Sequence, residues 1–102
     1  QVFADFLAKL AKTPDGDAGS MLDSSIFLYG SNMSNSNQHD SFPLPAVVFG
    51  GGNGRIKKGG LHVQYPKGTP FANFHVALLN LMGVQTESLG NSTGPADLSA
   101  FA

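Results

Sequence analysis

The chain has 102 residues, enough for one small domain and too few for two. An apolar fraction of 41% with eight Phe excludes a disordered chain, and a net charge of -1 with no basic stripe argues against a nucleic-acid binder. With no cysteine, disulfides and thiolate metal sites are excluded, and no apolar run reaches the roughly 18 residues needed to cross a bilayer.

Residues 1–12 are amphipathic at helical spacing. Val2, Phe3, Phe6, Leu7 and Leu10 fall on one face, with Asp5, Lys9 and Lys12 elsewhere. Thr13-Pro14-Asp15-Gly16 ends this helix, because proline removes a donor and disfavours helix in the residue before it. The segment 14–20 is dense in turn formers. Asp15, Asp17 and Asp23 lack the ligand spacing and terminal Glu of an EF-hand, so the segment reads as a solvated turn rather than a calcium loop. The chain opens at Gln1 inside a helix, which reads as a fragment: one partial domain over residues 1–102.

The stretch 24–52 organises the rest. Two apolar runs, 26–29 and 46–49, are rich in β-branched and aromatic residues and bounded by Gly or Pro, as buried strands are. Neither run alternates with polar residues. Both faces are therefore expected to be covered, as in a parallel sheet with helices on each side. The expected fold class is α/β, with the two strands parallel neighbours joined by a crossover. Between them lies a polar loop carrying Ser31, Asn32, Ser34, Asn35, Ser36, Asn37 and Gln38, then His39 and Asp40. In parallel sheets ligands gather beyond the carboxyl ends of strands, which makes this loop the candidate site.

Glycines at 50, 51, 52, 54, 59 and 60 follow the second run. Neither GxGxxG nor a P-loop pattern fits, and no helix directly follows to supply amides to a phosphate. A flexible loop or hairpin is the reading, with Lys57 and Lys58 available to face an anionic substrate. Residues 62–65 form a candidate short strand. Thr69-Pro70 then marks a helix start, with Thr as N-cap, and the helix runs to Met82 with Gly83 as its left-handed C-terminal cap. Phe71, Phe74, Leu78, Leu81 and Met82 form its main stripe, widened by Val76 and Leu79. A helix apolar nearly all round is expected to be interior, with His75 buried among its neighbours. From about residue 85 the chain has little periodicity and reads as a weakly structured tail.

Several short motifs carry a resemblance: G-S-x-M-S after the first strand, N-x-H-D before the second, T-P-x-x-N at the helix start and G-x-S-T-G in the tail. With the runs around them, they make the chain resemble the C-terminal part of a secreted bacterial family named for an HXXSHH motif, in the alkaline phosphatase/sulfatase superfamily. The naming motif itself is not in this chain. The resemblance implies an alkaline-phosphatase-like domain, secreted or periplasmic, that hydrolyses phosphate or sulfate esters with a divalent metal (zinc, manganese or calcium). It places His39 as a metal ligand, Asn32 and Asp40 as ligands or their supports, and Lys57 and Lys58 as substrate-binding charges. Met33 stands where the superfamily's Asp-His-Gly signature has a ligand, and the nucleophile has no counterpart here. The implied partners are an anionic ester and the upstream part of the same protein, with no nucleic acid and no membrane span. The alternative is a non-catalytic binding or structural protein on the same fold, its metal site degenerate.

Overall fold

A short amphipathic helix, a hairpin and a second helix carry the chain, in a computed structural model that describes residues 1–17 and 19–102. Helix α1 (Val2–Lys12) is followed by a single turn α2 (Met21–Ser24), strands β1 (Phe27–Gly30) and β2 (Ala46–Phe49), helix α3 (Phe71–Leu81) and a 3-10 turn, Ser99–Phe101. Ser20 caps α2 through a reciprocal arrangement. Its hydroxyl accepts from the Asp23 N–H, while the Asp23 carboxylate accepts from the Ser20 N–H and hydroxyl.

The two strands pair antiparallel, with Phe27 opposite Phe49 and Gly30 opposite Ala46. This corrects the expected α/β fold with parallel strands. The cause lies in the connection. Instead of a crossover helix, residues 31–45 fold back on themselves: Asn35 and Asp40 bridge, and Ser31 N–H reaches the Pro45 carbonyl. Residues 62–65 form no strand, so among the described residues the sheet has two strands only.

Each face of the hairpin is turned toward a helix. Residues directly opposite across an antiparallel pair share a face, so Phe27, Tyr29, Val47 and Phe49 lie on one side. There Phe3 of α1 stacks on Tyr29 at 4.8 Å and meets Phe49 edge-on at 5.1 Å, and Phe6 meets Phe27 edge-on at 5.3 Å. On the other side Ile26 and Leu28 face His75, Leu78, Leu79 and Met82 of α3 and its end across an apolar gap. α1 is seated; α3 stands off from the sheet.

The glycine run is a docked turn rather than a loose loop. Gly51 N–H, Gly52 N–H and Asn53 N–H donate to the carbonyls of Leu22, Ser25 and Asp23, which satisfies the end of α2. The approach is close. Gly50 has φ +105, and a Cβ there would lie 2.1 Å from the Ser25 carbonyl oxygen. Only glycine fits such a position.

Helix α3 begins one residue later than expected and without the Thr69 cap. Its N-cap is Pro70, and the Thr69 hydroxyl instead bonds the Pro66 carbonyl. It ends at Leu81, one residue before the expected Met82, while Gly83 at φ +85 is the left-handed cap as read, with the Val84 N–H returning to Leu79. The tail wraps α3 and is held by polar bonds. Asn73, buried on α3, donates to the Thr93 hydroxyl and accepts from the Thr93 N–H, while its carbonyl accepts from Ala96. The Tyr65 hydroxyl reaches the Asp97 carbonyl, and the Phe101 carbonyl takes the N–H groups of Lys57 and Lys58.

The core is thin. Among the described residues Val76 and Ala77 are the buried apolar ones and both lie on α3, whose other residues except Asn73 are only half-buried, so the expectation of a wholly interior helix is corrected. His75 is half-buried against the edge of Phe71, ring centres 4.7 Å apart. The accessible surface is 7216 Å², against roughly 5,500 Å² from the scaling for self-contained monomers of this mass. The radius of gyration is 14.8 Å, where about 13 Å is usual for this length. This chain leaves uncovered the apolar surface that its helix pattern demanded be covered. Among the described residues no helix is long and apolar enough to cross a membrane.

Candidate functional site

The loop 31–45 is built by short polar side chains bonding to nearby backbone, which gives it shape without a hydrophobic core. Ser34 is the centre of this arrangement. Its N–H donates to the Asp40 carbonyl at 2.8 Å, and its hydroxyl lies 3.2 Å and 3.1 Å from the Asp40 and Phe42 carbonyls. The Asn35 side-chain oxygen accepts from the N–H groups of Asn37 and Gln38, tightening the tip. The Ser31 hydroxyl accepts from the Met33 N–H at the loop's entry.

This frame sets His39 at φ +54, in the left-handed region where a non-glycine residue is uncommon. Its imidazole is exposed, and so are Asn32 and Asp40. The Asp40 carboxylate accepts from the Phe42 N–H at 3.0 Å, so part of its capacity serves the loop. The three residues named from the sequence thus share one polar excursion beyond β1. Among the described residues no group of three or more His, Asp or Glu side chains is placed to hold a metal ion. One imidazole and one carboxylate fall short of the four donors a zinc site takes, or the six of a harder ion. The donors present do not fit a metal by themselves, and no catalytic step is derived through one.

Lys57 and Lys58 lie elsewhere. Together with Arg55 they rim a groove of about 720 Å³ whose walls include Val47, Phe49, Phe74, Leu78 and Phe101. None of Asn32, His39 and Asp40 lines that groove, so the lysines and the histidine loop occupy separate places. The groove was not legible in the sequence. Its walls come from β2, α3 and the tail, which are brought together by bonds between residues far apart in sequence, the tail to α3 at Asn73 and to Lys57 and Lys58 at Phe101. Among the described residues no buried side-chain nitrogen or oxygen lacks a partner, so no orphaned polar group points into either cavity.

Three shifts in acidity mark the local electrostatics. Donation from the Ser20 backbone and hydroxyl holds the Asp23 carboxyl below the usual carboxylate range. Ser99 does the same for Asp97, first through its backbone N–H and then through its side chain. Burial, with the nearby Asp97 charge second, pushes the Tyr65 phenol up. All three belong to turns and tail contacts rather than to the histidine loop.

Compared with known proteins, the chain matches no family model, no curated protein and no solved structure.

Proposed function

We propose that residues 1–102 form one part of a secreted or periplasmic alkaline-phosphatase/sulfatase-like protein of the HXXSHH-motif family. In this reading the loop 31–45 borders a site for a phosphate or sulfate ester. The observation that carries it is the pairing of a shaped polar loop with a body too thin to stand alone: a surface far above the monomer scaling and, among the described residues, two buried apolar ones. Such a body contributes a loop to a larger protein, and the loop's motifs are those that resemble the family.

In this reading His39, held outward on its left-handed turn, presents an imidazole to the ester site, with Asp40 next to it and Asn32 at the start of the same loop. The donors needed to complete a zinc, manganese or calcium site would come from outside residues 1–102, from the upstream part of the same protein. Lys57 and Lys58 lie at a distinct groove and act on an anionic ester at most as long-range charges. A second reading, a non-catalytic binding or structural protein, is favoured by one observation: the Asp40 carboxylate is engaged with the loop's own backbone.

The test is hydrolysis of p-nitrophenyl phosphate and p-nitrophenyl sulfate by the full-length protein, wild type against His39→Ala. The expected result is turnover in the wild type and a loss of kcat/KM of about 100-fold or more in the variant, the scale on which disturbing a metal site or its support acts. Equal rates in the two would remove His39 from the site. No turnover in the wild type, with calorimetric binding of inorganic phosphate that His39→Ala abolishes, would select the second reading.

A further inference from the structure

The larger groove touches four consecutive residues of one strand, Val47, Val48, Phe49 and Gly50. Side chains alternate between the two faces of a strand, so a cavity lying over one face meets every second residue, as the smaller groove meets Ile26 and Leu28. A cavity that meets each residue in turn runs along the strand's edge. The groove is therefore the space beside the outer edge of β2.

The register says which backbone groups face it. Ser31 N–H bonds the Pro45 carbonyl, one step of two beyond the Tyr29–Val47 pair, so Tyr29–Val47 and Phe27–Phe49 are the hydrogen-bonded pairs. Ala46 and Val48 consequently turn their N–H and C=O groups outward, away from β1. Among the described residues no backbone or side-chain bond reaches the outward groups of Ala46 or Val48. An uncharged, unbulged edge of this kind is a template for another strand.

The walls say what that strand carries. Opposite β2 stand Phe74, Leu78 and Leu81 of α3, and Leu98 and Phe101 of the tail, so its side chains are apolar. Arg55, Lys57 and Lys58 rim the groove with no acidic side chain among its walls. This favours an acidic flank. It disfavours a second copy of this chain, which would bring its own three cations to the same rim.

We propose that the outer edge of β2 accepts an added strand: an extended apolar segment of another polypeptide with an acidic residue at its end. The inference stands apart from the ester-hydrolase reading and survives its failure. Affinity comes from main-chain bonds to Ala46 and Val48, selectivity from the apolar wall of α3 and the cationic rim.

The probe is a capped heptapeptide of alternating valine and threonine with glutamate at each end, followed by amide exchange and chemical shift. Binding is expected to slow exchange of the Val48 N–H at least 10-fold, and a peptide with lysine at each end should bind at least 10-fold more weakly. The double variant Lys57→Glu, Lys58→Glu, whose backbone bonds to Phe101 remain, should reverse that preference. Val48→Pro, which removes an outward N–H and no bond to β1, should abolish binding. Unchanged Val48 exchange at millimolar peptide would overturn the proposal. So would protection that rises with protein concentration alone, which would mean a second copy, or displacement of the peptide by laurate with Val48 still exchanging, which would mean a lipid-like ligand.

Discussion

Replacing Gly50 with Ala tests how the glycine run docks, and its cost can be worked from two terms. At φ +105 an L-residue sits in left-handed territory, a strain of about 1–2 kcal/mol. The new Cβ would also lie 2.1 Å from the Ser25 carbonyl oxygen and 3.1 Å from that of Leu22, and backbone oxygens cannot rotate away as side chains do. Forcing atoms into a filled site costs about 1–3 kcal/mol more. Against this, the alanine chain loses less freedom on folding, a gain of about 0.4–1 kcal/mol. The net expectation is about 1–4.5 kcal/mol of destabilisation. Gly54→Ala is the matched control, with φ +83 but nothing within 4 Å of its Cβ. It carries the strain without the overlap and should cost about 1 kcal/mol or less. Urea unfolding followed by circular dichroism measures both, as a shift of midpoint at constant slope. Equal shifts in the two variants would refute the contact of the glycine run with α2.

Two further predictions concern the tail and the acid limb. Asn73→Ala removes both side-chain bonds to Thr93 and should cost about 1–3 kcal/mol at 0.5–1.5 per bond, with faster exchange at the Thr93 amide. Unchanged exchange there would mean the tail is held by something else. The Asp23 carboxyl is held low by the Ser20 backbone and hydroxyl, so the folded state binds fewer protons than the unfolded one. Its contribution is full above the ordinary carboxylate range and fades as pH falls through the lowered value. Asp23→Asn should flatten the fall in stability below about pH 4 without changing its neutral-pH shape, and an acid limb identical to wild type would contradict the capping arrangement.

What the sequence allowed and what it hid follow from the range of each interaction. The run Ala46–Phe49 was readable to the residue because Pro45 and Gly50 bound it, and the helix Phe71–Leu81 to within one residue at each end because Pro70 and Gly83 do. The apolar stripe of α1 was readable too, and Phe3 and Phe6 do cover the hairpin. Strand direction was not. An apolar run without alternation reads alike in parallel and antiparallel sheets, and the Asn35–Asp40 bridge that turns the chain back is made by backbone groups common to every residue. The glycine run looked loose because its reason, the carbonyl of the residue capping α2 pressed against Gly50, lies 25 residues away in sequence at Ser25. Histidine at φ +54 leaves no mark in composition, so the presentation of His39 came only from the structure. The apolar girth of α3 did signal a need for cover, and residues 1–102 supply it only around Asn73, Val76 and Ala77.

The central claim is that this chain is an antiparallel hairpin with a bare outer edge, set between a seated helix and one that stands off. Residue-by-residue amide exchange of the full-length protein by nuclear magnetic resonance tests it most directly, because the register assigns each β2 amide to one side. Val47 and Phe49, bonded to β1, should exchange at least about 10-fold more slowly than Ala46 and Val48, whose N–H groups face solvent. Equal protection along all four residues, or the opposite alternation, would contradict the hairpin and the free edge together.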